Sequence, residues 1–319
     1  MTKSSTIAII GKPNAGKSTL LNALLGQKIS IVSPKVQTTR ATIKGIVTKD
    51  EAQLVFIDTP GIFSPKRTLE KSMVRAAWST ISGATTIAII IDASNPKSFD
   101  GEFHKILEHI ATIKTEKIIL LNKLDKFTDT SYDQILSVND ALNLLRQQGV
   151  IFTEENSELL KGLFREAKCF LISALKQRNI DQLVDYLIKI SPEGPFAYPE
   201  DDATDASMRF LCAEITREKL FLNLSDELPY NLTVETEKWE QISKNQVKIY
   251  QNIIVPKESH KMIILGNKGE TIKNIGISSR KEIKSCFGVN AHLFLFVKVR
   301  LGWDEKNIHY QNMGLTLVK

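Results

Sequence analysis

The chain has 319 residues, of which 42% are hydrophobic and 24% charged, and its formal net charge is +6. This composition is too apolar for a disordered protein, and the length suits about two globular domains. The longest apolar runs fall far short of the roughly 18 residues of a membrane span, and the polar start is unlike a signal peptide. Three well-separated cysteines, Cys169, Cys212 and Cys286, favour neither a disulfide framework nor a zinc site and are typical of the reducing cytoplasm.

The charge is concentrated at one end. Residues 241–319 hold 13 lysines and arginines against 5 acids, a net charge of +8, which leaves −2 for residues 1–240. A basic region of this kind favours a polyanion, either nucleic acid or an anionic membrane surface. Excess lysine is also a common solubilising surface, so charge alone does not choose between these functions.

The first predicted strand, residues 6–10, runs through a glycine-rich loop into a predicted helix at 18–25. The loop has the form G-x-x-x-x-G-K-S of a phosphate-binding loop and consists of Gly11, Lys12, Pro13, Asn14, Ala15, Gly16, Lys17 and Ser18. Its glycines let several backbone N–H groups point at one anion. We expect Lys17 to reach the β- and γ-phosphates and Ser18 to hold Mg²⁺ at the positive end of the helix. The alternative is a glycine turn that merely links strand to helix.

A polar segment, V-Q-T-T-R at residues 36–40, precedes the next predicted strand at 43–48. A threonine here can close on Mg²⁺ and the γ-phosphate while the triphosphate is bound, and release after hydrolysis. We therefore predict a switch segment, with Thr39 rather than Thr38 as the ligand.

A strand predicted at 54–57 is followed by a D-x-x-G sequence, Asp58, Thr59, Pro60 and Gly61. Such a carboxylate can hold Mg²⁺ through water, and the glycine N–H can reach a γ-phosphate. Alone the sequence would be an ordinary turn, but its position 40 residues after Ser18 favours a nucleotide site.

A second switch is predicted at residues 61–67. Ile62 lies at the position where Ras-like GTPases carry the glutamine that orients the attacking water. An aliphatic side chain cannot take that role. Backbone groups, Mg²⁺-bound water or a partner must then position the water, so we predict slow intrinsic turnover.

The first 190 residues alternate short apolar runs with helix-like segments, which predicts an α/β fold with a mainly parallel sheet and helices on both faces. The remaining strands of this part are predicted at 86–91, 117–121 and 169–172, and its helices at 68–81, 99–113, 131–147 and 180–190.

The strand at 117–121 ends in N-K-x-D, which consists of Asn122, Lys123, Leu124 and Asp125. Ligands of open α/β sheets bind at strand ends. The Asp125 carboxylate can accept from two neighbouring N–H groups of guanine that adenine does not present. Asn122 would tie the loop together, and the Lys123 stem would lie along the base. Ser173 and Ala174, after the strand at 169–172, can add a backbone N–H to the guanine carbonyl.

Residues 191–207 contain three prolines and five acids and are predicted to be a linker. Beyond it the pattern becomes helix, two strands, two helices and a strand, at 206–222, 232–238, 246–255, 259–265, 271–287 and 292–300. Between the last two helices lies a G-x-x-G loop, Gly266, Asn267, Lys268 and Gly269, with Lys261, Lys273, Arg280 and Lys281 nearby. A bare G-x-x-G is more often a turn, but this order within the basic region favours RNA binding, and the region resembles an α+β type II K-homology domain.

The motifs G-K-P-N-A-G-K-S-T-L-L-N, Q-T-T-R and D-T-P-G-I resemble the translation-factor-related GTPases that carry a hydrophobic residue in place of the glutamine. Within them they are similar to the Era family of the TrmE-Era-EngA-like group. The C-terminal part, including E-I-T-R-E-K and G-N-K-G-E-T-I-K, resembles the K-homology domain of that family. The chain departs from the family pattern in one place. The stretch between Asp125 and Ser173 is longer than expected, at 47 residues, and has an apparent extra helix around 151–167.

The resemblance implies a P-loop GTPase domain at 1–190, the linker at 191–207 and a K-homology domain at 208–319. It also implies a cytoplasmic GTPase. From the motifs we expect Mg²⁺ as cofactor, GTP as substrate and catalytic roles for Lys17, Thr39 and Gly61, and we expect the protein to be a monomer. By the same resemblance, its partner would be the 3′ end of 16S ribosomal RNA during assembly of the small (30S) ribosomal subunit, with some association with the inner membrane.

Two other functions remain open from the sequence. One is a non-catalytic RNA-binding scaffold with an idle nucleotide pocket, because Ile62 replaces the glutamine. The other is a GTPase whose basic domain meets anionic lipid, although that domain lacks a long amphipathic apolar face flanked by lysines and arginines. Measuring GTP turnover with and without ribosomal RNA separates the scaffold from the enzyme.

Overall fold

The computed structural model describes residues 1–35, 38–62, 64–65, 67–95, 99–127, 135–150 and 152–318. Val36 and Gln37 of the first predicted switch, Phe63 and Lys66 of the second, and the start of the helix predicted at 131–147 lie outside these residues. The chain divides into unit 1, Met1–Gly26 with Thr39–Asp205, and unit 2, Gln27–Thr38 with Ala206–Lys319. Within the described ranges, no helix has both the length and the apolar character needed to cross a membrane.

Unit 1 is built on a mainly parallel sheet. Its strands are β1 (Lys3–Ile10), β2 (Ile43–Lys49), β3 (Ala52–Asp58), β4 (Thr86–Asp92), β5 (Glu116–Asn122), β6 (Leu136–Ser137) and β7 (Lys168–Leu171). Over the described residues these seven strands lie in the order β2-β3-β1-β4-β5-β7-β6. The edge strands β2 and β6 are antiparallel to their neighbours, and the other pairs are parallel.

Helices cover both faces of this sheet, as the sequence predicted. They are α1 (Lys17–Leu25), α2 (Thr68–Ser82), α3 (Gly101–Thr112), α4 (Val138–Gln147), α5 (Glu154–Leu163) and α6 (Ile180–Ile190). Residues of α2 to α5 share one apolar cluster with alternate residues of β4, including Ile87 and Ile89. Helices α1 and α6 contact β3. Because both faces are covered, β4 is almost continuously apolar rather than alternating.

The stretch between Asp125 and Ser173 differs from the prediction at its start. The helix predicted at 131–147 is confirmed from Val138 to Gln147 and is wrong at 135–137, because residues 136–137 form β6 and α4 begins only at Val138. Ser137 fixes that start by accepting a hydrogen bond from the Asp140 N–H at 3.1 Å. The extra helix expected around 151–167 is present as α5.

Most of the predicted linker is bound to unit 1. The Gln53 side chain donates to the Tyr198 carbonyl at 2.9 Å, and the Ile46 N–H donates to the Ala203 carbonyl at 2.9 Å. Residues 191–205 thus extend unit 1 by hydrogen bonding rather than by an apolar core, which explains their lack of hydrophobic periodicity. The domain boundaries at 190 and 208 stay a prediction.

Unit 2 has the predicted order of elements. They are α7 (Met208–Asn223), β8 (Thr233–Ser243), β9 (Gln246–Val255), α8 (Glu258–Leu265), α9 (Glu270–Phe287), β10 (Asn290–Val299) and a short α10 (Asn307–Asn312) that was not predicted. Across the described residues its sheet has the order β10-β9-β8, in which β9 is parallel to β10 and antiparallel to β8. Strand β8 runs five residues beyond the predicted end, to a hairpin turn before β9.

Residues 27–38 belong to unit 2 because charged groups of α7 hold them. Lys28 pairs with Glu218 at 2.6 Å, and Glu218 also accepts from the Val32 N–H at 2.8 Å. Arg217, which is 1% exposed, donates to the Thr38 carbonyl at 2.6 Å. Arg217 and Glu218 are thereby buried with partners, as burial of a charge requires.

Candidate functional site

The predicted phosphate-binding loop lies between β1 and α1 of unit 1. Gly16, the residue before α1, has φ 105°, a left-handed conformation that side chains disfavour. A Cβ at this position would lie 2.2 Å from Nδ2 of Asn122. Glycine is therefore needed here both for its backbone conformation and for space.

Lys17 is buried with its amine directed into the loop. It is 6% exposed, and its Nζ donates to the carbonyls of Gly11 at 2.9 Å and Lys12 at 2.8 Å. Burial lowers the pKa of Lys17 to about 8, and the charge of Asp58 partly opposes this shift. An anion beside the amine would favour its charged form. The lysine is thus placed to bind phosphate.

Three oxygens predicted to serve Mg²⁺ lie together. Ser18 Oγ is 2.8 Å from Thr39 Oγ1 and donates to Asp58 Oδ2 at 2.7 Å. Asp58 is fully buried and Thr39 is 7% exposed. Hydroxyl and carboxylate oxygens are the donors that Mg²⁺ prefers, with water completing its shell. These residues fit the ion, and Thr39 rather than Thr38 reaches Ser18, because the Thr38 hydroxyl donates to the Lys35 carbonyl at 2.8 Å.

The D-x-x-G residues approach the same loop. The Thr59 hydroxyl donates to the Ile9 carbonyl of β1 at 2.8 Å, and Gly61 lies against Pro13. Ile62 is 4% exposed and belongs to the apolar cluster of unit 1. Its side chain cannot orient water, and only its backbone is left to face a nucleotide.

Asn122 connects the phosphate-binding loop to the N-K-x-D loop. Its Nδ2 donates to the Ala15 carbonyl at 2.9 Å, and its Oδ1 accepts from the Ala174 N–H at 3.0 Å. One side chain thereby joins three predicted nucleotide-binding segments. The sequence predicted only that Asn122 ties one loop together, whereas its hydrogen bonds reach two other segments.

Asp125 and Ser173 lie together although 47 residues separate them in sequence. The Ser173 hydroxyl donates to Asp125 Oδ1 and also accepts from the Lys176 N–H at 3.2 Å. Leu124 is 1% exposed and packs in the core. The structure therefore brings the predicted guanine-binding side chains to one place.

Sequence reasoning missed Asp92, the last residue of β4. Its Oδ2 accepts from the Lys123 amine at 2.7 Å, and its Oδ1 accepts from the Ser94 N–H at 3.0 Å. The signal was available, since a polar residue at the end of a parallel strand lies at the ligand-binding edge. Lys12 has a comparable partner, Asp100 at the start of α3.

The G-x-x-G loop of unit 2 joins α8 to α9 by a short turn at Asn267–Gly269. Gly266 has φ 72°, and a Cβ there would lie 2.1 Å from Thr271 Oγ1. Lys268, Lys273 and Lys281 are exposed, and Lys261 and Arg280 are partly buried. Lys261 pairs with Glu258 at 3.0 Å.

Two exposed apolar side chains precede this loop, Met262 at 63% and Ile263 at 55% exposure. A nucleic-acid strand can bind such a loop, because the glycines allow its backbone to approach closely and the helix ends and lysines attract its phosphates. The exposed apolar side chains can contact its bases.

Two family models match different parts of this chain. The family model described as 50S ribosome-binding GTPase matches residues 6–123, and that of the KH domain matches residues 227–304. Together with the site geometry they define the class as a P-loop GTPase followed by a K-homology domain.

Relatives match over nearly the whole chain. GTPase Era of Rickettsia canadensis (strain McKiel) is 47% identical over 313 residues, which cover 98% of each chain. GTPase Era of Bradyrhizobium diazoefficiens is 45% identical over 318 residues, or 100% of this chain and 96% of the relative. The chain belongs to the Era family of GTPases.

Two solved structures agree with this assignment. Era in complex with MgGDPNP and nucleotides 1506–1542 of 16S ribosomal RNA matches with a TM-score of 0.84 at 35% identity and covers 98% of this chain and 99% of that one. Aquifex aeolicus Era bound to GDP·AlF4⁻, in a variant form, matches equally well. The chain is thus an enzyme that hydrolyses GTP with Mg²⁺, and the non-catalytic scaffold is excluded.

Proposed function

We propose that this GTPase binds 16S ribosomal RNA through unit 2 and acts in assembly and maturation of the 30S subunit. The observation that carries the proposal is the G-x-x-G loop at 266–269, set between two helices with exposed lysines. Its region has a net charge of +8, which favours a polyanion. The RNA-bound Era structure, which matches the full chain, supports 16S RNA as the partner.

The 50S particle is the alternative, because the family model of the first domain carries that description. It matches only residues 6–123, whereas the predicted RNA-binding loop lies in the other unit. Crosslinking the protein to total ribosomal RNA and mapping the sites distinguishes the two. Crosslinks confined to 23S RNA would refute the proposal.

For GTP hydrolysis we propose that water attacks the γ-phosphate while Lys17 and loop N–H groups stabilise the developing negative charge. Ser18, Thr39 and, through water, Asp58 would hold Mg²⁺, which when bound neutralises charge on the β- and γ-phosphates. The Gly61 N–H would bind the γ-phosphate. Full GTPase activity in Lys17→Ala would contradict this assignment, since that variant is expected to lose hydrolysis and bind nucleotide weakly.

Asp125 would select the guanine base. Asn122 would hold the loop, the Lys123 stem would lie along the base, and Ser173 would position Asp125 through its hydrogen bond. The hydrogen bonds from Asn122 to Ala15 and from Ala174 to Asn122 support one continuous guanine-nucleotide site. The remaining predicted contacts, Lys12, Pro13, Asn14, Thr59, Pro60, Ile62 and Leu124, would act through their backbone or by shaping the loops.

Nucleotide state is proposed to switch the protein between two conformations. GTP with Mg²⁺ would close the segments around Thr39 and Gly61, and this change would alter how unit 2 presents its RNA-binding surface. Chain connectivity supports the coupling, since Thr39 directly follows Thr38, whose carbonyl Arg217 holds within unit 2. The proposal makes the protein a monomer and, as the family resemblance implies, places it in the cytoplasm with some peripheral association with the inner membrane.

The test is crosslinking to ribosomal RNA with and without a non-hydrolysable GTP analogue. Lys268→Glu, which reverses a charge in the G-x-x-G loop, is expected to reduce crosslinking to 16S RNA strongly. Lys105→Glu makes the same charge change on an exposed residue of α3 and serves as the control. Equal crosslinking by the two variants would refute the RNA-binding role of the loop, and a footprint independent of GTP would refute the switch.

A further inference from the structure

The sheet of unit 2 carries a second feature, an aromatic surface on the side opposite α7 and α9. Inner residues of β9 and β10, such as Ile249 and Leu293, share an apolar cluster with residues of α7 and α9. Alternate residues point to the other side, and there β10 presents Phe294 and Phe296, which are 42% and 46% exposed. We call Lys248, Tyr250, His292, Phe294 and Phe296 the outer sheet face.

The rings of this face are already ordered. Tyr250 pairs with Phe294 across the strands, and their rings stack with centroids 4.8 Å apart and planes 15° from parallel. The Lys238 amine lies 5.7 Å from the centre of the Tyr250 ring. Phe296 is paired with Asn252, so no cross-strand aromatic partner accounts for its presence.

The charges of the face favour an anionic ligand. Neither β9 nor β10 contains an acidic residue, whereas Lys248 and His292 lie opposite each other next to the stacked rings. The three acids of β8 are engaged within unit 2: Glu235 with His309, Glu237 with Lys298, and Glu240 with Lys238. Aromatic rings beside a lysine and an imidazole N–H suit a single-stranded nucleic acid, because bases stack on the rings and phosphates accept hydrogen bonds from the nitrogens.

We propose that the outer sheet face is a second RNA-binding surface, on which bases of a single-stranded RNA segment stack against Phe294 and Phe296. Side chains two residues apart on a strand are about 7 Å apart, which leaves room for a base at each ring. Lys248 and His292 contact the phosphates. This inference rests on the proposed function, since it extends RNA binding from the G-x-x-G loop to the other side of the same unit.

The test measures binding of a fluorescent RNA of nucleotides 1506–1542 of 16S RNA to the full chain by anisotropy. Replacing both Phe294 and Phe296 with leucine keeps apolar bulk but removes the rings, and we expect about tenfold weaker binding. Replacing both with tyrosine restores the rings and should retain the affinity. A crosslink from a photoreactive base to Phe294 or Phe296, mapped by mass spectrometry, should be present in the parent protein.

The outcomes separate this inference from the proposed function. Binding by the leucine pair equal to that of the parent protein would overturn the inference, while a loss in Lys268→Glu would still support the G-x-x-G loop. Equal losses in the leucine and tyrosine pairs would also overturn it, because the effect would then be structural. If the parent protein binds no ribosomal RNA, the proposed function itself fails.

Discussion

Replacing Gly16 with alanine tests whether Asn122 joins the nucleotide-binding loops. A Cβ at Gly16 would lie 2.2 Å from Asn122 Nδ2, so the amide must move. Its hydrogen bonds to the Ala15 carbonyl and from the Ala174 N–H would then break. Each buried group left without a partner costs about 1–3 kcal/mol, and the left-handed backbone adds about 1–2 kcal/mol. With one group unpartnered for each of the two broken hydrogen bonds, we expect a total loss of about 3–8 kcal/mol in the free energy of unfolding.

Gly26→Ala is the matched control. Gly26 also has a positive φ, 63°, but a Cβ there would meet no atom within 4 Å. We therefore expect a loss of only about 1–2 kcal/mol from backbone strain. Urea denaturation gives both free energies, and titration with fluorescent GDP gives the affinities, which should fall at least 100-fold in Gly16→Ala and change little in Gly26→Ala. Equal effects of the two substitutions would refute the role assigned to Asn122.

Three further substitutions test the remaining contacts. Asp125→Asn should shift nucleotide preference from GTP toward xanthosine triphosphate, and unchanged preference in competition binding would exclude Asp125 from base selection. Thr39→Ala should lower GTP turnover about 100-fold in a phosphate-release assay. Thr38→Ala should change turnover by only a few-fold, because the Thr38 hydroxyl serves a local turn. A larger loss in Thr38→Ala than in Thr39→Ala would assign the Mg²⁺ ligand to Thr38. Asp92→Asn should weaken GDP binding about fivefold, since Lys123 loses its charged partner, and wild-type affinity by calorimetry would show that Asp92 does not position Lys123.

The proximity of Asp58 and Asn122 could be predicted because each is the last residue of an apolar strand. Parallel strands bring their carboxyl ends to one edge of the sheet, so spacing along the chain is enough to bring Asp58 and Asn122 to the phosphate-binding loop. Asp92 obeys the same rule and was missed because it belongs to no short motif. Ser137, the residue before α4, also carries a local signal, a capping serine three residues before Asp140.

Other features could not be predicted, because they depend on partners distant in sequence. The residues at 27–38 have no helical or strand periodicity, and Arg217 and Glu218, which hold them, are about 180 residues away. The outer sheet face required the register of β9 and β10, which places Tyr250 beside Phe294. Alternation within one strand does not specify which residue of another strand lies opposite it.

The assignment of residues 27–38 to unit 2 has a consequence for synthesis of the chain on the ribosome. The charged groups that hold these residues lie on α7, which begins only at Met208. At about 5–20 residues per second, roughly 10–35 s pass between translation of Thr38 and translation of Arg217. During that interval unit 1 can complete its sheet, while the segment between Gly26 and Thr39 still lacks its ion-pair partners. Unit 1 therefore has to fold around an unanchored loop, which is fixed only when α7 leaves the ribosome.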